Sequence, residues 1–214
     1  AKIQNDEDSL KLMYRKLIKN TFLIFSSLIL GLASTAESFV LILLGEKWLE
    51  CVPYIQLLCF IGYFMPLTIF NLNAINVKGQ SKLYLKLQIF HKIINVPAIF
   101  IAYYFGIIEM LLTMILVSFI YYLVNSAYSN KLIKYNMKER FIDILPFVFV
   151  SIFVNLIVYQ SNNFDLHYIL IFTLQVLVAL ILTYLSYSLL KQDEFLLLKE
   201  IIINKTRNYF YVKK

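Results

Sequence analysis

Charge is scarce in this 214-residue chain, where 15% of the residues are Asp, Glu, Lys or Arg against about a quarter in an ordinary soluble domain. Glycine and proline are also few, at five and four, which excludes collagenous and low-complexity sequence. Only two cysteines occur, Cys51 and Cys59. They lie eight apart in one apolar stretch, so neither a disulfide-stapled module nor a zinc, haem or thioredoxin motif fits, and they read as packing residues. The two histidines, His91 and His167, stand at the ends of apolar segments with no carboxylate at ligand spacing. No phosphate-binding glycine loop, nucleophile elbow or paired-histidine zinc motif is present. The expectation is therefore no catalytic residue, no metal and no cofactor, and no ATP bound by this chain. What is abundant is hydrocarbon: 60% of the residues are hydrophobic, 18 are Phe and 16 Tyr, and the mean hydropathy is +0.72. That excludes intrinsic disorder and leaves a polytopic membrane protein.

The apolar segments number six, which predicts an all-α polytopic membrane protein. They run from about Thr21 to Leu44, Val52 to Asn76, Leu87 to Phe105, Met110 to Ser129, Phe141 to Tyr159 and His167 to Leu190, each near the 20 residues needed to cross hydrocarbon. Residues 1–19 read as an interfacial lead-in helix. An Asp6–Ser9 cluster can cap it, and Leu10, Met13, Tyr14 and Leu17 recur at helical spacing beside Lys11, Arg15, Lys16 and Lys19. The expected division is thus a lead-in (1–19), a six-helix bundle (20–190) and an interfacial tail (191–214), whose run from Phe195 to Ile203 suits a membrane surface. The chain begins at Ala1 with no cleavable leader before the first span, so it is expected to start inside a longer protein.

Alternate loops differ in charge. Residues 1–19, 77–86, 130–140 and 191–214, 64 in all, carry 18 Lys or Arg, whereas residues 45–51, 107–109 and 161–166 carry only Lys47. The basic side is expected to face the cytoplasm, with both ends of the chain there, as in a bacterial inner-membrane protein. The net charge of +7 is accounted for by this bias, and no nucleic-acid partner is expected. Outer loops this short leave no room for a folded catalytic domain on that face.

Polar residues inside spans cost free energy and are the default functional candidates. In the second span Gly62, Pro66, Ile69, Asn73 and Asn76 follow at steps of three or four, setting a kink and two amides on one face that is expected to look inward. That face reads either as a cavity wall or as interhelical amide bonding. Asn73, Asn76, Gln56, Lys92 and Asn95 are the candidates for lining a substrate cavity, with Lys92 able to snorkel to headgroups. Glu37, near the outer end of the first span, is the candidate ion-coupling carboxylate or an interfacial acid. The amides of Asn125, Asn155 and Gln175 read as packing, and Trp48, Tyr54, Tyr103 and Tyr104 as an outer aromatic belt.

The stretch Leu43-Leu44-Gly45-Glu46-Lys47-Trp48, continuing through Val52-Pro53-Tyr54-Ile55-Gln56 and Asn71-Leu72-Asn73 to Lys78-Gly79-Gln80-Ser81 and Leu85-Lys86-Leu87, resembles the polysaccharide transporter branch of the multidrug/oligosaccharidyl-lipid/polysaccharide exporter superfamily. The resemblance covers roughly residues 2–95. It departs from the family where a proline after the first-span glutamate is Ser38, and where an acidic and a basic position are Gln88 and His91. It implies the C-terminal part of a two-lobed flippase of 12 to 14 helices. Such a protein moves undecaprenyl-pyrophosphate-linked oligosaccharide repeat units across the membrane by alternating access, for O-antigen, capsule or exopolysaccharide. The partners it implies are that lipid-linked oligosaccharide, membrane lipids and the missing N-terminal lobe. A drug antiporter of the same superfamily would need intramembrane acids, and the six span cores present no clear Asp or Glu. A polysaccharide polymerase would need a large outer loop.

Overall fold

In the computed structural model, residues 7–163 and 167–189 are described. They form eight α-helices: α1 (Glu7–Ser34), α2 (Ala36–Leu43), α3 (Val52–Tyr63), α4 (Met65–Val77), α5 (Ser81–Phe105), α6 (Ile107–Ile133), α7 (Met137–Gln160) and α8 (Tyr168–Leu189). Short 3-10 turns at Glu46–Cys51 and Ser161–Asn163 complete the order, and no strand occurs among the described residues. Six segments are long and apolar enough to cross a membrane, with α3 and α4 and the 3-10 turn before them counting as one. The all-helical, six-span architecture is the one the apolar segments predict. The tail, 191–214, lies outside the described residues.

Boundaries differ from expectation in four places. The lead-in is not a separate element: Glu7–Lys19 runs straight into the first span as one 28-residue helix. The same span breaks at Thr35 (φ −97°, ψ 5°), where α2 begins. The second span is two helices meeting at Phe64, because Pro66 has no N–H to donate and its ring crowds the preceding turn. The outer connection placed at 107–109 is the single residue Gly106, since Ile107 already lies in α6.

The strongest seam joins α1 to α7. Leu10, Tyr14, Ile18 and Phe22, spaced by four on α1, are 1%, 4%, 1% and 1% exposed. They lie in one apolar cluster with Ile144, Phe147, Val150, Val154 and Val158 of α7. Between lipid-facing helices apolar burial gives little preference for protein over acyl chain, so close packing and hydrogen bonds decide the register. Both are present: the Ser26 and Ser151 hydroxyls lie 2.8 Å apart, and Ser34 donates to Asn155 Oδ1 at 2.8 Å. A second seam sets α6 against α4 and α5, where Leu72, Ile75, Leu87 and Tyr121 are buried together. α5 and α8 are peripheral, with most of their apolar length exposed.

Gly106 turns α5 into α6 at φ 115°, ψ 177°, a region open only to glycine. An added Cβ would also sit 3.0 Å from Glu109 Oε2. Gly106→Ala should cost about 1–3 kcal/mol, read as a lower midpoint of thermal unfolding in detergent; an unchanged midpoint would mean that the connection has another conformation.

Candidate functional site

Helix direction alternates along the chain, so the N-termini of α1, α5 and α7 and the C-termini of α4 and α6 meet at the end of the bundle that carries the basic loops. Here the polar side chains concentrate. Arg15 of α1 grips Asp143 of α7 with two hydrogen bonds, Nε to Oδ2 at 2.7 Å and Nη2 to Oδ1 at 2.8 Å. Lys19 lies 3.8 Å from the same carboxylate, and the Tyr135 hydroxyl donates to it at 2.8 Å. One turn nearer the end, Lys11 pairs with Glu139 at 2.8 Å. Asn136 and Glu139 form a reciprocal capping box at the start of α7, which fixes the carboxylate-bearing turn. Burial first, and then the Asp143 carboxylate it donates to, push the Tyr135 phenol far above its ordinary pKa, so it is a donor at every physiological pH.

Arg140 sits beside this pair and is 1% exposed. Its Nη1 donates to Asn71 Oδ1 of α4 at 2.6 Å and to Ser126 Oγ of α6 at 2.7 Å, and its Nη2 donates to Asn130 Oδ1 at 3.1 Å. The guanidinium also lies 5.0 Å from the centroid of the Tyr135 ring, within cation–π range. One buried cation thus ties α4, α6 and α7 together. It also sets the rotation of α4: with Asn71 held inward, Asn73 is turned about 200° around the helix. Asn73 and Asn76 are exposed accordingly. They open onto a 510 Å³ groove that α4 forms with Met13, Tyr14 and Leu17 of α1.

The expected inward stripe of the second span is therefore corrected. Pro66 is buried, but Ile69 is 42% exposed and Asn73 and Asn76 look out of the six-span body. The amide that does face inward is Asn71, which the step-of-four pattern passed over. The remaining candidates do not join this groove. Gln56 donates to the Ala33 carbonyl at 3.2 Å and lines a separate 440 Å³ pocket with Ser34 and Asn155, toward the opposite end. Lys92 is exposed on α5, and the Asn95 amide is spent on the His91 carbonyl of its own helix at 2.8 Å. Glu37 is exposed in the first turn of α2, where the positive end of the helix suits a carboxylate.

Sequence reading missed Arg140, Asp143 and Arg15. Arg15 falls in the expected lead-in and Arg140 in the basic loop, where a charge reads as solvated, while Asp143 lies in the first turn of the fifth span, outside its core. The spans do contain a buried carboxylate, Asp143, 6% exposed, and it is committed to Arg15. Available signals were the i, i+3 placement of Arg140 and Asp143 on one face of α7 and the matching Lys11, Arg15, Lys19 row at steps of four on α1. Among the described residues no group of three or more His, Cys, Asp or Glu side chains could hold a metal.

Known proteins agree with the resemblance. Residues 1–53 match the family described as "Polysaccharide biosynthesis protein". The chain is similar to the lipopolysaccharide biosynthesis protein WzxC of Escherichia coli (strain K12), 31% identical over 101 residues, which is 47% of this chain and 20% of that protein. It is equally similar, 31% over 100 residues, to an uncharacterized membrane protein in the cps region of Klebsiella pneumoniae, covering 47% of this chain and 21% of that protein. The matched stretch is thus about a fifth of each relative's length. No solved structure matches. The matches bear out the resemblance to the polysaccharide transporter family.

The Arg15–Asp143 pair is half shielded, since the Arg15 side chain is 41% exposed. Asp143→Asn should therefore cost about 1.5–3 kcal/mol, less than a fully buried pair would. Arg15→Gln should add little on top of it. A double-mutant cycle on unfolding in detergent measures the coupling, and additive losses would show that the two groups do not act as one unit.

Proposed function

We propose that this chain is part of a polysaccharide-related membrane transporter that carries lipid-linked oligosaccharide repeat units, held through undecaprenyl pyrophosphate, across the cytoplasmic membrane. The six-span body acts as one lobe and a second helical lobe closes the other side of the path. The basic end faces the cytoplasm, where the substrate is made and loaded. Surface polysaccharide such as O-antigen, capsule or exopolysaccharide is the end product.

The observation that carries this reading is the groove of Asn73 and Asn76. A saccharide bears many hydroxyls, and each one taken into hydrocarbon without a partner costs several kcal/mol. Two amides on an outward face of α4 offer donors and acceptors in place of that lost water, and they do so on a surface the body itself leaves open. The same end of the bundle favours an anionic headgroup: Lys11, Arg15, Lys19 and Arg140 stand against two carboxylates, Glu139 and Asp143, which leaves two positive charges in excess in that cluster. The groove needs no nucleophile or general base, because flipping breaks no covalent bond. The lipid tail stays in the bilayer while the headgroup crosses.

The full-length protein in proteoliposomes should move a fluorescent lipid-linked oligosaccharide between leaflets. Asn73→Leu with Asn76→Leu should slow that movement about tenfold or more, equivalent to 1.4 kcal/mol, with no drop in thermal stability because both residues are exposed. No movement by the wild-type protein, or an undiminished rate in the double variant, would overturn the reading.

A further inference from the structure

Among the described residues, nine buried side-chain nitrogen or oxygen atoms make no hydrogen bond to protein, and six of them fall in one place. They are Asn71 Nδ2 on α4, Arg140 Nε at the start of α7 and, on α6, the Tyr121 hydroxyl, both polar atoms of the Asn125 amide and the Ser129 hydroxyl. Tyr121, Asn125 and Ser129 recur at steps of four, so they form a single stripe about 12 Å long. The stripe is enclosed, with exposures of 2%, 0% and 0%. At its basic end it is continuous with Arg140, whose guanidinium bonds both Asn71 and Ser126, the neighbour of Asn125. At its other end the His91 imidazole of α5 stacks on the Tyr121 ring, centroids 3.8 Å apart and planes 7° from parallel.

Interhelical amide bonding does not account for this stripe, because the Asn125 amide bonds to nothing across the interface. The Tyr121 hydroxyl lies close enough to Asn125 to feel it, yet the two make no hydrogen bond of good geometry. Buried polar atoms without partners are few in folded proteins and each demands a reason. Six together, mixing donors with acceptors on three helices, have the chemistry of a site for ordered water, which bonds two to four polar groups at once. Spacing by helical turns along α6 makes such a site a file rather than a point.

We propose that the Tyr121–Asn125–Ser129 stripe, closed by Asn71 and Arg140, binds a file of internal water that passes protons along the stripe to and from His91. His91 is the side chain at that end of the file whose ring nitrogens can take up and release a proton. The ionisable groups facing it are Tyr121 from α6 and Lys92, next to it on α5; Tyr84 faces Tyr121 from α5. α4, the other helix against α5, has no ionisable side chain in Met65–Val77. The step is simple in its balance. A neutral imidazole accepts one proton from the file, forming an N–H bond and a positive charge, and returns to neutral by releasing it. The water site stands on the geometry alone; the use of that proton to drive transport rests on the function proposed above.

The test uses the complete protein, labelled with 15N-histidine, in lipid nanodiscs, with His91 and His167 assigned by single His→Gln variants. The His91 ring protons should exchange with bulk water. Asn125→Leu, which fills the file with an apolar side chain, should slow that exchange at least tenfold and leave His167 unchanged. Asn125→Ser, smaller but polar, should keep the wild-type rate and controls for a leucine variant that fails to fold. Equal His91 exchange in the wild-type and leucine proteins would overturn the proposal. Because the measurement involves no oligosaccharide, a failure of the flippase reading leaves this result standing, and the reverse also holds.

Discussion

The two-pronged grip of Arg15 on Asp143 links residues 128 apart in the chain and joins the first helix to the seventh where both leave the apolar layer. Asp143 faces the protein interior at 6% exposure, and without Arg15 and Lys19 its charge would be buried beside the Tyr135 hydroxyl alone. The geometry also uses the planar fork of arginine, which lysine lacks. With this pair in place the apolar rows of α1 and α7 are in register, and the serine contacts further along the seam, Ser26 to Ser151 and Ser34 to Asn155, fall opposite one another.

Arg140 extends the same constraint to the other half of the body. A guanidinium sunk among helices must give its N–H groups to oxygen, and here the acceptors come from Asn71, Ser126 and Asn130. Three helices are thereby fixed in rotation. The groove proposed to meet the saccharide is a consequence, since Asn73 faces outward because Asn71 faces inward. The interior water site follows from the same cluster, for Arg140 and Asn71 each have one polar group left over after their mutual bond. Structure-holding and function are thus properties of one polar network at one end of the bundle.

The fold was largely legible in the sequence because six long apolar runs leave few alternatives in a membrane, where helices alone satisfy an open chain's backbone. What hydropathy could not see were local events. The Thr35 break involves no proline or glycine at that residue. The single-residue Gly106 connection lies between two apolar runs that merge on any hydropathy scale. The charged residues at span ends were the larger omission. Arg15 and Arg140 read as solvated because a window average assigns the lead-in and the loop to water, Asp143 reads as the edge of a span, and only their placement in three dimensions brings them together. Among the site candidates, Asn73 and Asn76 do share a groove, while Gln56, Lys92, Asn95 and Glu37 are scattered over other surfaces. Periodicity placed the first two on a common face but could not say which way the face looked; that depended on Asn71, two residues away.

The seam between α1 and α7 is the element that the Arg15–Asp143 grip and the paired basic end share, and it can be tested in a native membrane. In a full-length protein with Cys51→Ser and Cys59→Ser, the pair Ser26→Cys and Ser151→Cys replaces hydroxyls 2.8 Å apart, a separation that a disulfide can close. Mild oxidation should link the two introduced thiols quantitatively, while moving the second one to the exposed position of Phe153 should abolish the link. Absence of the disulfide between positions 26 and 151 in folded, membrane-inserted protein would contradict the account at its root.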